Sequence, residues 1–153
     1  MWHAAVTGSI EIDRPVEEVF DLVADQRYEP LYNPDMTSSE KLTDGPIGVG
    51  TRFAATSRSF AKPVSMVIEL TAVERPRRLA STTWTEGMVL DGGLTFEATA
   101  RGTRMSWAWT VHPTGLMRLL TPVLAVMGRR NERRIWTGLK RHLESAPADA
   151  PAR

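Results

Sequence analysis

The chain has 153 residues, a length that fits one domain with a substantial core. Its formal net charge of +1 gives no overall attraction to nucleic acid or acidic lipid, and the content of 42% hydrophobic and 24% charged residues is typical of a globular protein. The absence of cysteine excludes disulfides and thiolate metal sites.

Two features of the sequence bear on its location. No segment approaches the roughly 20 apolar residues that a membrane-spanning helix needs, so no transmembrane segment is expected. The N-terminus does not combine a basic start with a long apolar block, as a signal peptide would. We therefore expect a cytoplasmic protein.

The first predicted elements are a strand and a short helix. Apolar and polar residues alternate over residues 6–12, as in a half-buried strand. In the following stretch, DRPVEEVFDLVAD, the apolar residues recur at helical spacing. Asp13 or Arg14 is expected to cap this helix of about 10 residues, with Pro15 in its first turn.

The segment RYEPLYNP, residues 27–34, follows this helix and contains both tyrosines of the chain. Pro30 and Pro34 leave room for at most one further turn of helix between them. Two large aromatic side chains, Tyr28 and Tyr32, are more than a simple chain reversal requires. The segment is thus a candidate for packing against the core or for contact with a ligand.

Residues 38–111 show one strand after another. Alternating apolar and polar residues are separated by turn signals at residues 44–46, 75–77 and 101–102. Strands joined by such short turns predict an antiparallel meander with one covered face and one solvent-facing side. On this prediction Asp91 lies on the solvent-facing side and Glu86 lies at a strand end.

The C-terminal part predicts a long helix that covers the sheet. Pro122 is expected to kink or restart it, and an unbroken helix over residues 122–144 would be about 35 Å long. Residues 145–153 contain no core-forming side chains and are predicted to form a flexible tail. The apolar residues expected near one side of the helix are Leu116, Leu119, Leu120, Val123, Leu124, Met127, Ile135 and Leu139.

This order of elements resembles the START-like, Bet v 1-type helix-grip superfamily (SRPBCC), which includes polyketide cyclase/dehydrase and lipid-transport proteins. Three local motifs carry the resemblance: IEIDRPVEEVFDLVAD, YNP where the family often has Trp-Asn-Pro, and GPIGVGTRF. The resemblance as a whole covers roughly residues 3–144. The resemblance implies an α+β helix-grip fold, in which a curved antiparallel sheet of about seven strands wraps around the C-terminal helix and two short helices follow the first strand. Residues 1–144 would form one domain.

The family resemblance also implies a cavity between sheet and helix for a small hydrophobic or aromatic molecule, such as a lipid or polyketide, held by a carrier or sensor. Equally, the tyrosines could serve only for packing, and the tryptophan and methionine side chains could fill the cavity. The candidate ligand-binding residues are Tyr28, Tyr32, Phe53, Met66, Ile68, Trp84, Met88, Leu90, Phe96, Met105, Trp107, Trp109, Leu120, Leu124 and Met127.

The sequence offers little that indicates catalysis. His3, His112 and His142 are scattered and have no metal-binding spacing, so neither a metal nor another cofactor is expected. Nucleophile and dinucleotide motifs are absent. The polar candidates for proton transfer are Arg52, Glu86, Asp91 and Tyr32. The family has no universal catalytic residue, so no catalytic residue is assigned.

A basic stretch on the C-terminal helix gives a third interpretation. It is interrupted by Glu132, and a solvated outer face would explain it, although an anionic lipid surface, a nucleic acid or an acidic ligand head would also suit it. Its residues are Arg129, Arg130, Arg133, Arg134, Lys140 and Arg141.

Three functions therefore compete. A carrier or sensor requires an apolar pocket with one or two polar anchors. A polyketide cyclase, aromatase or dehydratase requires an inward ionisable group with a shifted pKa. A protein- or membrane-interaction module would use the arginine-rich helix. The carrier is preferred because the predicted inward faces are almost wholly apolar. Nucleic acid is not expected as a partner, and both a monomer and a homodimer are compatible with the sequence.

Overall fold

The computed structural model describes residues 3–59 and 62–145, so most of the predicted tail lies outside the described residues. Its main feature is a seven-stranded antiparallel sheet in the order β1-β7-β6-β5-β4-β3-β2. The predicted α+β helix-grip architecture is confirmed. The strands are β1 (Ala4–Ile12), β2 (Met36–Lys41), β3 (Arg52–Ser57), β4 (Val64–Glu74), β5 (Arg78–Thr85), β6 (Met88–Ala98) and β7 (Thr103–Pro113).

Two α-helices and two 3₁₀ helices complete the fold. They are α1 (Val16–Ala24), η1 (Gln26–Leu31), η2 (Gly115–Leu120) and α2 (Thr121–Ser145). The long helix matches the predicted range closely and packs mainly against β1. No helix in the described ranges combines the length and the apolar character that crossing a membrane requires.

The start of α1 differs from the prediction that Asp13 or Arg14 caps it. Pro15 occupies the N-cap position with extended backbone (φ −59°, ψ 145°), and no side chain caps the helix. Instead, the carbonyl oxygen of Pro15 accepts hydrogen bonds from the N–H groups of Glu18 and Val19. The Arg14 side chain is used elsewhere, because it pairs with Glu18 at 2.8 Å.

Strand register separates two faces of the sheet. Phe53, Ile68 and Thr83 are successive cross-strand partners, and the burial of Phe53 and Ile68 identifies their row as the inner face, which α1 and α2 cover. The neighbouring row pairs Ala54 with Val67 and Val67 with Trp84, and it lies on the outer face. Because side chains alternate along a strand, this register assigns the strand residues to one face or the other, with the alternation interrupted at the register shifts between Met36 and Ser38 and between Leu70 and Ala72.

The apolar stripe predicted for the long helix is partly wrong. Ile135 and Leu139 are buried, but the other buried residues of α2 are Ala125, Trp136 and Leu143. The helix begins only at Thr121, after η2, so the phase of the preceding leucines does not continue into it. Leu124 is half-buried. The remaining members of the predicted stripe are exposed: Leu116, Leu119, Leu120, Val123 and Met127.

Candidate functional site

A carboxyl group lies on the inner side of α2, facing the sheet. The Oε2 atom of Glu132 accepts hydrogen bonds from the Nε1–H groups of Trp109 (2.9 Å) and Trp136 (2.7 Å). Trp109 comes from the inner face of β7, and Trp136 lies one helical turn after Glu132. The carboxyl group thereby joins the helix to the sheet through two indole donors.

A second carboxyl group enters the same region from η1. Glu29 accepts a hydrogen bond from the Nδ2 atom of buried Asn33 at 2.8 Å. Burial raises the pKa of Glu29 to about 6, against the opposing effect of this hydrogen bond. Burial also raises the pKa of Glu132 to about 7, and the negative charge of Glu29 adds to the rise while the two indole bonds oppose it. Both carboxyl groups therefore change protonation near neutral pH.

Tyr32 lies beside these carboxyl groups and is only 4% exposed. Its hydroxyl group is enclosed and has no hydrogen-bond partner within the part of the chain that the structure describes. Burial, followed by the negative charges of Glu29, Asp25 and Glu132, raises the pKa of Tyr32 well above its ordinary value, so the hydroxyl keeps its proton. A Cβ atom at Gly138 would collide with the Tyr32 carbonyl oxygen, which explains how α2 packs directly against this residue.

The tryptophan Trp107 provides a second enclosed donor. It is 3% exposed, and its Nε1–H also lacks a partner among the described residues. The indole lies over Gly8 of β1, where a Cβ atom would overlap the ring. Ring centroids are 6.3 Å apart both between Trp107 and Trp136 and between Trp136 and Tyr32. The three rings thus form a row from the sheet to the end of η1.

We call this set the inner polar cluster, and its members are Glu29, Tyr32, Trp107, Trp109, Glu132 and Trp136. It combines two unpartnered donors, two carboxyl groups that titrate near neutrality, and the faces of large aromatic rings. Such a set can bind an oxygen atom of an otherwise apolar molecule. Within residues 3–59 and 62–145, no group of three His, Cys, Asp or Glu side chains is arranged to hold a metal ion.

Sequence comparison agrees with the architecture. The family model described as polyketide cyclase / dehydrase and lipid transport matches residues 3–144. The chain belongs to this family. No curated protein matches the chain in sequence.

Several solved structures share the fold of this chain at low sequence identity. TTHA0849 from Thermus thermophilus has a TM-score of 0.79 and 20% identity, over 93% of this chain and 99% of that chain. Ara h 8.0201 has a TM-score of 0.74 and 17% identity, over 94% of this chain and 99% of that one. The di-domain ARO/CYC BexL from the BE-7585A biosynthetic pathway has a TM-score of 0.71 and 19% identity, over 95% of this chain and 52% of its own.

Most of the predicted ligand-binding residues of this chain are buried or half-buried. The buried ones are Tyr32, Phe53, Ile68, Phe96, Met105, Trp107 and Trp109. Tyr28, Met66, Met88, Leu90 and Leu124 are half-buried.

Three of the predicted residues lie away from the inner face of the sheet. Trp84 is 41% exposed and lies on the outer face, because its partner in the register is Val67 rather than an inner residue. There it lines an outer groove of about 640 Å³ formed mostly by β2 to β5. Leu120 and Met127 are also exposed, since Leu120 belongs to η2 and Met127 faces away from the sheet.

The proton-transfer candidates apart from Tyr32 also lie outside the inner polar cluster. Arg52 pairs with Glu69 at 2.6 Å, and Glu86 is 87% exposed. Asp91 lies on the outer face beside His112, with 3.2 Å between the Oδ2 and Nε2 atoms.

Sequence reasoning missed Glu29, Glu132 and Trp136. A signal for Glu132 does exist, because Ala125, Gly128, Glu132, Ile135 and Leu139 follow one another at helical spacing along the core-facing side. Glu132 was interpreted as an interruption of a basic solvent face because it stands among four arginines. Glu29 carried no such signal, since a glutamate between Tyr28 and Pro30 in a short turn is ordinarily exposed.

Proposed function

We propose that the protein binds a small hydrophobic molecule that carries an oxygen function, as a carrier or sensor, between the sheet and α2. The observation that supports this most directly is the pair of enclosed, unpartnered donors, Tyr32 O–H and Trp107 Nε1–H. An enclosed donor without a partner costs about 1–3 kcal/mol, so two of them in one cluster favour a role in binding. A carbonyl or hydroxyl oxygen of a ligand would accept from them.

The surroundings suit the remainder of such a molecule. The Trp107 and Trp136 rings lie 6.3 Å apart, and the inner sheet adds Leu94, the cross-strand partner of Trp107, and Met105. Aromatic and thioether side chains adapt well to flat or flexible apolar ligands. Polyketide-like and lipid-like molecules combine an apolar body with oxygen functions, and both belong to the description of the family. The fold of BexL, an ARO/CYC protein, is shared by this chain.

A second candidate function is acid–base chemistry on the bound molecule. It is favoured by the inward carboxyl groups, whose pKa values of about 7 for Glu132 and about 6 for Glu29 allow either protonation state near neutrality. In a dehydration, the carboxylate of one residue would remove a proton next to a carbonyl group. The carboxylic acid of the other would protonate the departing hydroxyl group, which leaves as water while a carbon–carbon double bond forms.

The test of the proposal compares two bicyclic probes of similar size, 1-tetralone and naphthalene, of which only the first has a carbonyl oxygen. We expect 1-tetralone to bind more tightly, and Tyr32→Phe to weaken its binding about fivefold to tenfold, as the loss of one hydrogen bond predicts. Naphthalene binding should stay unchanged. Tryptophan fluorescence quenching measures both affinities.

Tyr28→Phe is the matched control, because Tyr28 is the other tyrosine of the chain and is only half-buried. Removal of the unpartnered Tyr32 hydroxyl should leave the free energy of unfolding unchanged or slightly higher. Equal affinity for both probes in the wild-type protein would contradict the proposal. So would a less stable Tyr32→Phe protein with unchanged binding, which would assign the hydroxyl a structural role.

Turnover of bound ligand distinguishes the carrier from the enzyme. Native mass spectrometry of the purified protein, followed by solvent extraction, would identify a co-purified compound. If that compound is converted by the wild-type protein and not by Glu132→Gln, the acid–base function is established. Binding without conversion supports the carrier.

A further inference from the structure

We propose that η2 and the first turns of α2 dock the protein onto an anionic phospholipid bilayer. Six large apolar side chains that are close together in the chain project into solvent there, and Leu116 and Leu119 are the most exposed at 85% and 72%. Contiguous exposed apolar side chains, unlike scattered ones, indicate an interaction surface. We call this set the apolar ridge, and its members are Leu116, Leu119, Leu120, Val123, Val126 and Met127.

Contacts with the turn between β5 and β6 hold the start of the apolar ridge in place. Thr114 N–H donates a hydrogen bond to the carbonyl oxygen of Gly87 at 2.8 Å, which ties the start of η2 to the turn between β5 and β6. Met117 is half-buried and reaches this turn, since a Cβ atom at Gly87 would lie 3.1 Å from its Cγ atom. Because Met117 points inward, its neighbours Leu116 and Leu119 face outward.

The charges around the ridge indicate the kind of partner. Arg118 lies within the ridge, and Arg129 and Arg130 follow it directly. Between Glu97 and Glu132 the sequence contains no aspartate or glutamate, although the whole chain is almost neutral. Glu86, on the neighbouring turn, is paired with Lys62 at 3.3 Å.

The basic character continues along the same side of α2. Their spacing of seven, four and seven residues places Val123, Arg130, Arg134 and Arg141 on the side of the helix opposite to Leu139. Of these arginines, Arg134 is paired with Asp35 at 2.8 Å. A groove of about 560 Å³ on this side is lined by Thr137 and five arginines. An anionic bilayer fits this arrangement, because its interior accepts the ridge and its headgroups accept the arginines. A second copy would instead bring the same arginines together, which opposes self-association.

The experiment measures sedimentation of the full chain with vesicles of phosphatidylcholine and phosphatidylserine in a 3:1 ratio, and with phosphatidylcholine alone. We expect partitioning to be at least about tenfold stronger on the anionic vesicles and to weaken as salt is added. The variant Arg129→Gln/Arg130→Gln should bind roughly thirtyfold more weakly, since each arginine near the surface contributes about a factor of five. Leu116→Ser/Leu119→Ser should lower binding by at least about tenfold.

Matched controls come from the opposite end of the sheet. Arg77→Gln/Arg101→Gln removes two charges from the turns before β5 and after β6, and Leu42→Ser/Val49→Ser removes two exposed apolar side chains near the start of β3. Both control variants should bind like the wild type. Circular dichroism and thermal unfolding check that each variant is folded. If the leucine variant does not fold, the arginine variant still tests the proposal independently.

Several results would overturn the proposal. One is a wild-type protein that does not bind anionic vesicles at millimolar lipid, and another is equal binding to both vesicle types. Loss of binding in the arginine variant with full binding in the leucine variant would indicate simple charge adsorption. A wild-type dimer that dissociates in the leucine variant, without vesicle binding, would assign the ridge to a second copy.

Discussion

The interior of the molecule has two regions of opposite character. Beneath α1 the side chains are apolar, as in the edge-to-face pair of Phe20 and Phe96, whose ring centroids are 5.2 Å apart. Beneath η1 and the middle of α2 lie the half-buried residues Glu29 and Glu132, whose carboxyl groups point inward, and the unpartnered Tyr32 hydroxyl. The first region gains stability from every group that it buries. The second region lowers the stability of the fold, and a protein keeps such an arrangement where function requires it.

The largest effect should come from truncation in the apolar region. Phe20→Ala removes a fully buried ring and should lower the free energy of unfolding by about 3–5 kcal/mol, measured by urea denaturation. The affinity of the folded protein for 1-tetralone should not change. Leu31→Ala is the control, since Leu31 is exposed and its truncation should change stability by less than about 0.5 kcal/mol. A small loss of unfolding free energy in Phe20→Ala would contradict the difference in stability proposed between the two regions.

The pH dependence of stability should reveal the polar region. The pKa of Glu132 is raised to about 7 in the folded chain, from about 4.3 in an unfolded one. The folded state therefore holds a proton that the unfolded state releases, and the free energy of unfolding should fall as the pH rises from about 4 to about 8. Glu132 alone should contribute on the order of 3 kcal/mol to this fall, and Glu29 acts in the same direction.

Denaturation of Glu132→Gln at pH 5 and pH 8 checks this prediction. Most of the fall should disappear in this variant, while Glu86→Gln, which changes an exposed carboxyl group, should behave like the wild type. Asp25 acts in a different range: burial would raise its pKa, but the hydrogen bonds from Arg27 lower it, so its contribution is lost only below about pH 4. Stability that is constant between pH 5 and 8 would show that the inner carboxyl groups are solvated.

A smaller loss of stability should follow when Trp107, a member of the inner polar cluster, is displaced. In Gly8→Ala the new methyl group overlaps the Trp107 ring, so the ring must move, at a cost of about 1–3 kcal/mol. Near-ultraviolet circular dichroism should change with the tryptophan environment. The control Gly48→Ala places a methyl group where no atom lies within 4 Å. An unchanged spectrum and stability in Gly8→Ala would show that Trp107 is loosely held.

The sequence predicted the fold far better than the site. Alternation along the strands and the proline at position 122 located the elements, because these are local signals. The face of Trp84 was misassigned because RLASTTWT has few apolar residues, and its true inner row of Leu79, Ser81 and Thr83 is mostly polar. Glu132 could not be recognised without tertiary structure, since its indole partner Trp109 becomes its neighbour only when α2 meets β7.

The most direct test of the proposed binding site is the indole N–H spectrum of the ¹⁵N-labelled protein during addition of 1-tetralone. The binding account predicts that the Trp107 Nε1–H resonance shifts, because this enclosed donor gains an oxygen acceptor, and that naphthalene does not reproduce the shift. Trp84, exposed on the outer face, should stay unchanged and serves as the internal control. A shift confined to Trp84, or the same Trp107 shift with both probes, would contradict the account.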